Sequence, residues 1–195
     1  METKKFNIKI IIGSVREGRF AKTAGDWAKN QLENKDLDVE IIDLKDYEMP
    51  FFNEAQSPMY KQEPYKNETV AKFTKKIAQA DAYLVVTPEY NHSTSGVLKN
   101  AFDWVGEEWY RKPIAFISYG SNGGARAIEH LRLIAIELQM APIREAIHIN
   151  GEQYFPALFG QTSMEEVLKS KEEAFESMTN QLLWWTKALK VAREN

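Results

Sequence analysis

The sequence predicts an α/β fold built on a parallel sheet. Short apolar runs alternate with amphipathic stretches along the chain, the pattern of parallel strands joined by crossover helices rather than of hairpins. Three of the runs end in turns rich in glycine or proline: Gly13-Ser14-Val15-Arg16-Glu17-Gly18-Arg19 after Ile8 to Ile12, Pro88-Glu89-Tyr90-Asn91 after Tyr83 to Thr87, and Tyr119-Gly120-Ser121-Asn122-Gly123-Gly124 after Ile114 to Ser118. Such sheets form ligand crevices at the carboxyl ends of their strands, so three aligned turns predict a binding site there.

The strand candidates, five in all, are Ile8 to Ile12, Val39 to Leu44, Tyr83 to Thr87, Ile114 to Ser118 and Ile143 to Ile149. The first, third and fourth are almost continuously apolar, as expected of strands covered on both faces. The second and fifth admit Glu40, Arg144, Glu145 and His148, which suits edges or their neighbours. Between them, Ala24, Trp27, Ala28 and Leu32 fall at helical spacing, as do Ile128, Leu131, Ala135 and Leu138. Gly96 to Trp104 reads as a short helix packing Leu98, Ala101, Phe102 and Trp104 behind the second turn. From Ser163 the chain repeats Val167, Ala174, Phe175, Met178, Leu182, Trp185 and Leu189, and Ser163 with Glu166 forms a capping-box signature, so one long closing helix is expected.

Two segments break the order. Lys45 to Tyr65 holds Pro50, Pro58 and Pro64 among five aromatic residues, and so long a connection is expected to be a binding lid or partner surface. Gly151 to Gln161, with Tyr154, Phe155, Pro156 and Phe159, reads as a second irregular segment. Both are expected to cover a neighbouring subunit.

At 195 residues the chain, 1–195, fits one domain. The absence of cysteine removes disulfides, thiolate nucleophiles and iron–sulfur ligation, so redox work belongs to a bound cofactor. His92, His130 and His148 lack metal-ligand spacing, and no metal is expected. A net charge of -3 with interspersed signs is no nucleic-acid footprint. The apolar stretch behind Met1 to Lys5 is interrupted by Asn7 and Lys9 and is too short for a signal-peptide core. No run approaches the ~18 apolar residues that span a bilayer. No membrane association and a cytoplasmic location are therefore expected.

A strand ending in glycine before a helix presents unpaired N–H groups and the positive end of the helix dipole to an anion. Gly13 and Gly18 allow close backbone approach, and Ser14, Arg16 and Arg19 complete a cradle. Arg19-Phe20 stands where a Walker A loop needs Lys and Ser/Thr, and the dinucleotide G-x-G-x-x-G is absent, so a monophosphate fits best. The plainer alternative, a strand-to-helix turn with solvated arginines, stays open on this turn alone. In the second turn Pro88 restricts the backbone while Tyr90 and Asn91 offer an aromatic face and an amide to a flat ring; the alternative is a turn capped by Asn91 with Tyr90 in the core. Glu89 suits backbone contacts or orienting a neighbour rather than acid catalysis. Gly120, Gly123 and Gly124 leave the third turn bare enough for its amides to meet a ring edge. For Arg126 a surface ion pair, and for His92 simple solvation, are the plainer readings.

Together the Gly13–Arg19, Pro88–Asn91 and Gly120–Gly124 turns and Gly96-Val97-Leu98-Lys99-Asn100-Ala101-Phe102-Asp103-Trp104 resemble the NADPH-dependent FMN reductase family, in order, from near the N-terminus to about Ile149. The resemblance implies a flavodoxin-like doubly wound five-stranded parallel sheet, strand order 2-1-3-4-5, with helices on both faces and FMN held noncovalently at the switch point. It implies that Ser14 and Arg16 contact the FMN phosphate, that Pro88, Glu89, Tyr90 and Asn91 contact the isoalloxazine, and that the Gly120 to Gly124 loop flanks it. Gly13, Arg19, Phe20, Ser118, Ser121 and Gly123 complete the candidate cofactor-binding set. The implied activity is hydride transfer from NADPH or NADH to FMN and on to a small acceptor such as a quinone, azo compound or free flavin, in a homodimer or homotetramer. No side chain is an obligatory acid or base, since the chemistry lies on FMN. The chain departs from the family at Arg19, where many members carry a small hydroxyl residue, and at Ser95, where many carry proline. The rival readings are a flavodoxin-type electron carrier and a flavin-binding regulatory protein.

Overall fold

The computed structural model describes residues 5–61 and 63–194; Met1 to Lys4, part of the segment read above for a targeting signal, lie outside them. The sheet is built outward from β1 (Asn7–Ile12) and β3 (Ala82–Pro88), which pair in parallel, with β2 (Asp38–Asp43) on the free edge of β1 and β4 (Pro113–Tyr119) on that of β3. Beyond β4 lie two short pieces, β5 (Ala141–Pro142) and β6 (Ile147–Ile149), both parallel to it. The order is thus 2-1-3-4-5, as the resemblance implied.

β3 and β4 are buried along their whole lengths, because helices cover both faces. On one face α1 (Phe20–Glu33), α5 (Gly151–Leu158), α6 (Met164–Lys169) and α7 (Glu172–Glu194) pack around Ile8, Ile10, Leu84 and Ile117. On the other, α2 (Glu68–Ala78), α3 (Gly96–Asp103) and α4 (Ala125–Glu137) pack around Ile11, Tyr83, Val85 and Phe116. Lys9, the one charged residue inside β1, lies opposite Glu40 of β2 and pairs with it, so its buried ammonium is neutralised across the strands. Among the described residues no helix is long and apolar enough to cross a membrane.

Three sequence expectations are corrected. Ile143 to Ile149 is not one strand. The Arg132 side chain takes the carbonyls of Ile143 (3.1 Å) and Arg144 (2.6 Å), and Gln181 accepts the Glu145 amide at 2.9 Å, so side chains claim the groups a ladder needs. The closing helix is two helices. The expected capping box at Ser163 starts α6, but the Ser170 hydroxyl donates back to the Val167 carbonyl at 2.6 Å where α6 ends, and α7 begins anew at Glu172. Phe175, Met178 and Leu182 of α7 reach the core, whereas Ala174 and Trp185 face solvent. Gly151 to Gln161 is mostly helical: the Asn150 side chain caps α5 by accepting from the Gln153 amide, and Pro156 is tolerated near the end of so short a helix.

The Lys45 to Tyr65 connection docks on α3 rather than over the carboxyl ends of the strands. The Asn100 side chain accepts from the Phe52 amide and donates to the Pro50 carbonyl, both at 2.9 Å, and the Trp104 indole N–H donates to that same carbonyl at 2.7 Å.

Ser95, standing where many relatives of the implied family carry proline, has two jobs. Its hydroxyl accepts from the Leu98 amide as the N-cap of α3 and donates to the Gly13 carbonyl at 2.5 Å. Through it the turn after β1 is tied to the helix after β3. Ser95→Ala removes a cap and leaves a buried carbonyl unpaired, an expected loss of about 2–3 kcal/mol, read as a lower urea midpoint at unchanged m-value.

Candidate functional site

At the carboxyl ends of β1, β3 and β4 the three turns surround a cavity of about 320 Å³. The first turn supplies Ser14, Arg16, Arg19 and Phe20 to its wall, the second Pro88, Glu89 and Tyr90, and the third Gly120 and Ser121. The turns meet because of strand register: Ile12 lies beside Val86, and Pro88 beside Tyr119. Gly13 extends the ladder by donating its amide to the Val86 carbonyl at 2.8 Å.

Two helices, α1 and α4, point their N-termini at this crevice, and they differ in charge state. The N-cap residue of α1 is Arg19, which makes no side-chain bond to the first-turn amides. It turns instead to Asp43 at the end of β2, where both partners are about nine-tenths buried and form an ion pair. The Ala21 amide faces the hydroxyl of Tyr119, a phenol held in its neutral form because burial, chiefly, raises its pKa. The first turn of α1 carries no acidic residue, and Ser14, Arg16 and Glu17 stand beside it on the cavity wall. At α4 the N-cap is Gly124, in the left-handed region at φ 70°. A Cβ there would come within 2.5 Å of the Ser118 side chain, so no capping side chain fits. The carboxylate of Glu89 does the capping from across the crevice, accepting the Arg126 amide at 3.1 Å. It also accepts from the Arg126 guanidinium, from Nε at 2.7 Å and in addition from Nη2. Burial pushes the Glu89 carboxyl up, but the hydrogen bonds and charge of Arg126 outweigh burial and hold it below the usual carboxylate range. The positive end of α4 is thus already matched by a carboxylate.

One wall of the crevice, beside the start of α1, is aromatic. Phe20 meets Tyr119 edge-on with ring centres 5.0 Å apart, Tyr119 meets Tyr154 at 5.2 Å, and Tyr154 meets Phe155 at 5.5 Å. The Tyr90 hydroxyl lies 3.1 Å from that of Ser14, and the Arg16 guanidinium 5.8 Å from the Tyr90 ring centre. The anion-type turn and the ring-type turn are therefore neighbours in one space.

Five expected site residues do not line the cavity but shape it. Gly13 is held between the Val86 carbonyl and the Ser95 hydroxyl. Ser118 is buried and donates to the Gly123 carbonyl at 2.5 Å, bending the third turn, in which Gly123 and Gly124 both have positive φ. Asn91 turns at φ 49° on an exposed tip closed by paired Tyr90 and Ser93 backbones; beside it His92 is exposed. Conversely, sequence reasoning named Tyr119 only as the first residue of the third turn, and it missed Tyr154, Phe155 and Leu158 as wall residues. Asn150 as a cap, with Tyr154 and Leu158 four apart, was the available signal for α5, and Pro156 obscured it.

The family model for NADPH-dependent FMN reductases matches residues 6–153. An NAD(P)H-dependent FMN reductase of Nectria sp is 33% identical over 179 residues, covering 86% of this chain and 88% of its own. A quinone reductase of Escherichia coli is 34% identical over 159 residues, 76% of this chain and 79% of its own. Among solved structures, RosB with bound 8-demethyl-8-formylriboflavin-5'-phosphate superposes with a TM-score of 0.73 at 13% identity, covering 95% of this chain and 80% of that one, a likeness of fold.

The lowered Glu89 carboxyl makes a pH prediction. A carboxyl below its ordinary value of 4.5 in the folded chain adds stability that is fully present above that value and is lost as pH falls through the lowered one. Glu89→Gln should remove this part of the acid loss, so that melting temperatures of variant and parent converge on acidification.

Proposed function

Because the chain belongs to the NADPH-dependent FMN reductase family, we propose that it passes hydride from NADPH or NADH, by way of noncovalently bound FMN, to a small acceptor such as a quinone, an azo compound or free flavin. The observation that carries this reading is one cavity in which an uncapped helix N-terminus with Ser14 and Arg16 adjoins a crevice walled by Tyr90, Gly120, Ser121 and Phe155.

The residues suit a flavin monophosphate. A Cβ at Gly18, where φ is 60°, would meet nothing within 4 Å, so the first turn leaves room for a ligand. The buried Arg19 Nε has no partner among the described residues, which leaves an unspent donor beside the same turn. Ser14, Arg16 and the first-turn amides of α1 would hold the phosphate, with Arg19 next to them. Pro88, Glu89, Tyr90, Gly120 and Ser121 would border the ring, while Gly13, Asn91, Ser118, Gly123 and Gly124 set the shape of the turns from behind.

FMN, when bound, supplies the hydride chemistry. The chain's part is positional. Tyr154, Phe155 and Leu158 displace water from one wall, which strengthens every polar contact inside. The Glu89 carboxylate is held ionised by its bonds from Arg126 and the Ala127 amide and has no proton to give. A homodimer or homotetramer in the cytoplasm belongs to the same proposal; the exposed apolar side chains of Phe51, Leu133 and Ile136 support association.

Titration of the purified protein with FMN and with riboflavin, followed by NADPH and NADH oxidation against a quinone panel, tests the proposal. Uptake of FMN and turnover with at least one quinone are expected. Arg16→Ala should weaken FMN binding by roughly tenfold to a hundredfold, the loss of a charge-assisted phosphate contact, and leave riboflavin binding unchanged. Failure to bind FMN, or equal loss for both flavins, overturns it.

A further inference from the structure

We propose that Glu89 and Arg126 are positioning residues for the flavin ring: a clamp that fixes the turn after β3 against the turn after β4 before a ligand arrives. The inference rests on the flavin-binding reading above.

Glu89 directly follows β3, and its side chain is 5% exposed. Its carboxylate spans the gap to the next turn and accepts there from the Arg126 amide, Nε and Nη2, and from the Ala127 amide. Arg126 then reaches back into the third turn. With the Asn122 amide oriented so that its oxygen faces the guanidinium, that oxygen accepts from Nη1 at 3.1 Å and from Nη2 at 3.3 Å. The chain of contacts Glu89–Arg126–Asn122 thus crosses from one ring-bordering turn to the other.

Two further ties run parallel to it. The Glu89 amide donates to the Tyr119 carbonyl at 3.1 Å, and His130 of α4 lies 3.0 Å, Nδ1 to Oγ, from Ser93. What the clamp holds still is the ring border itself. A Cβ on Gly120 would sit 3.4 Å from that of Glu89, so the two turns touch at the cavity wall. The backbone N–H of Ser121, also on that wall, has no partner among the described residues and remains available. Ordering such loops on binding costs affinity, and loops already ordered avoid that cost.

The pair is not itself a reacting group. Its charges cancel between the second and third turns, while Ser14 and Arg16 belong to the first. A clamp of this kind serves the ring and is indifferent to the phosphate. Its loss should therefore weaken FMN and riboflavin alike, the opposite of what Arg16→Ala does.

The test uses Glu89→Gln, Arg126→Gln and Arg126→Lys in the full chain, with dissociation constants for FMN and riboflavin and the visible absorption band of each bound flavin. In Glu89→Gln and Arg126→Gln both constants are expected to rise by the same factor, about tenfold, and the fine structure of the band to blur as the ring loses its fixed surroundings; Arg126→Lys should recover part of each. Should Glu89→Gln fail to fold, Arg126→Gln keeps the carboxylate on the amides of α4 and carries the same readings. Unchanged constants and spectra with a lowered melting temperature would make the pair a structural tie only. Loss of FMN affinity alone would assign Arg126 to the phosphate. Wild-type protein that binds neither flavin removes the reading beneath the clamp, and the clamp with it.

Discussion

The seating of β3 between β1 and β4 is the constraint on which the site depends. In a parallel sheet every strand points the same way, so the turns that leave it and the helices that follow all start at one edge. Here the register carries Gly13 to the Val86 carbonyl and Glu89 to that of Tyr119, and so delivers the N-termini of α1 and α4 to one crevice. Two positive helix ends side by side repel each other. The chain resolves this unequally, setting the Glu89 carboxylate on the first-turn amide of α4 and the Tyr119 hydroxyl on that of α1. That inequality distinguishes the two helix starts: a carboxylate occupies that of α4, while Ser14 and Arg16 stand by that of α1.

Much of this was legible in the residue order. The continuous apolar character of Tyr83 to Thr87 and Ile114 to Ser118 marked the central strands, because only a strand covered on both faces tolerates it. The three turns were readable because glycine and proline report backbone demands locally. What was not legible depended on partners distant in sequence. The strand expected at Ile143 to Ile149 breaks because Arg132 and Gln181, on other helices, claim its backbone groups. Pro156 suggested an irregular segment, but an N-cap and tertiary packing outweighed it over a single short helix. Arg126 was expected in a surface ion pair; it is paired, and only the fold reveals that its partner is Glu89 of the neighbouring turn.

The expected candidate set divides along the same line. Residues at the tips of strands, such as Ser14 and Tyr90, reach the cavity because a strand's end has nowhere else to point. Ser118 and Gly124 lie behind the wall, where their contact with each other decides how sharply the third turn bends. The aromatic wall of α5 could not be placed from spacing alone, since it comes from a helix that packs back across the sheet after β6.

The ion pair between Arg19 and Asp43 joins two places of unequal rigidity. Asp43 ends β2, a strand paired on one side only, and Arg19 opens α1 beside the cavity. A sheet margin breathes more readily than its centre. The tie is made where β2 is buried, at Ile42 and Asp43. The outermost strand is thereby anchored to the start of α1, and a change at Asp43 reaches the first turn without altering any residue of that turn.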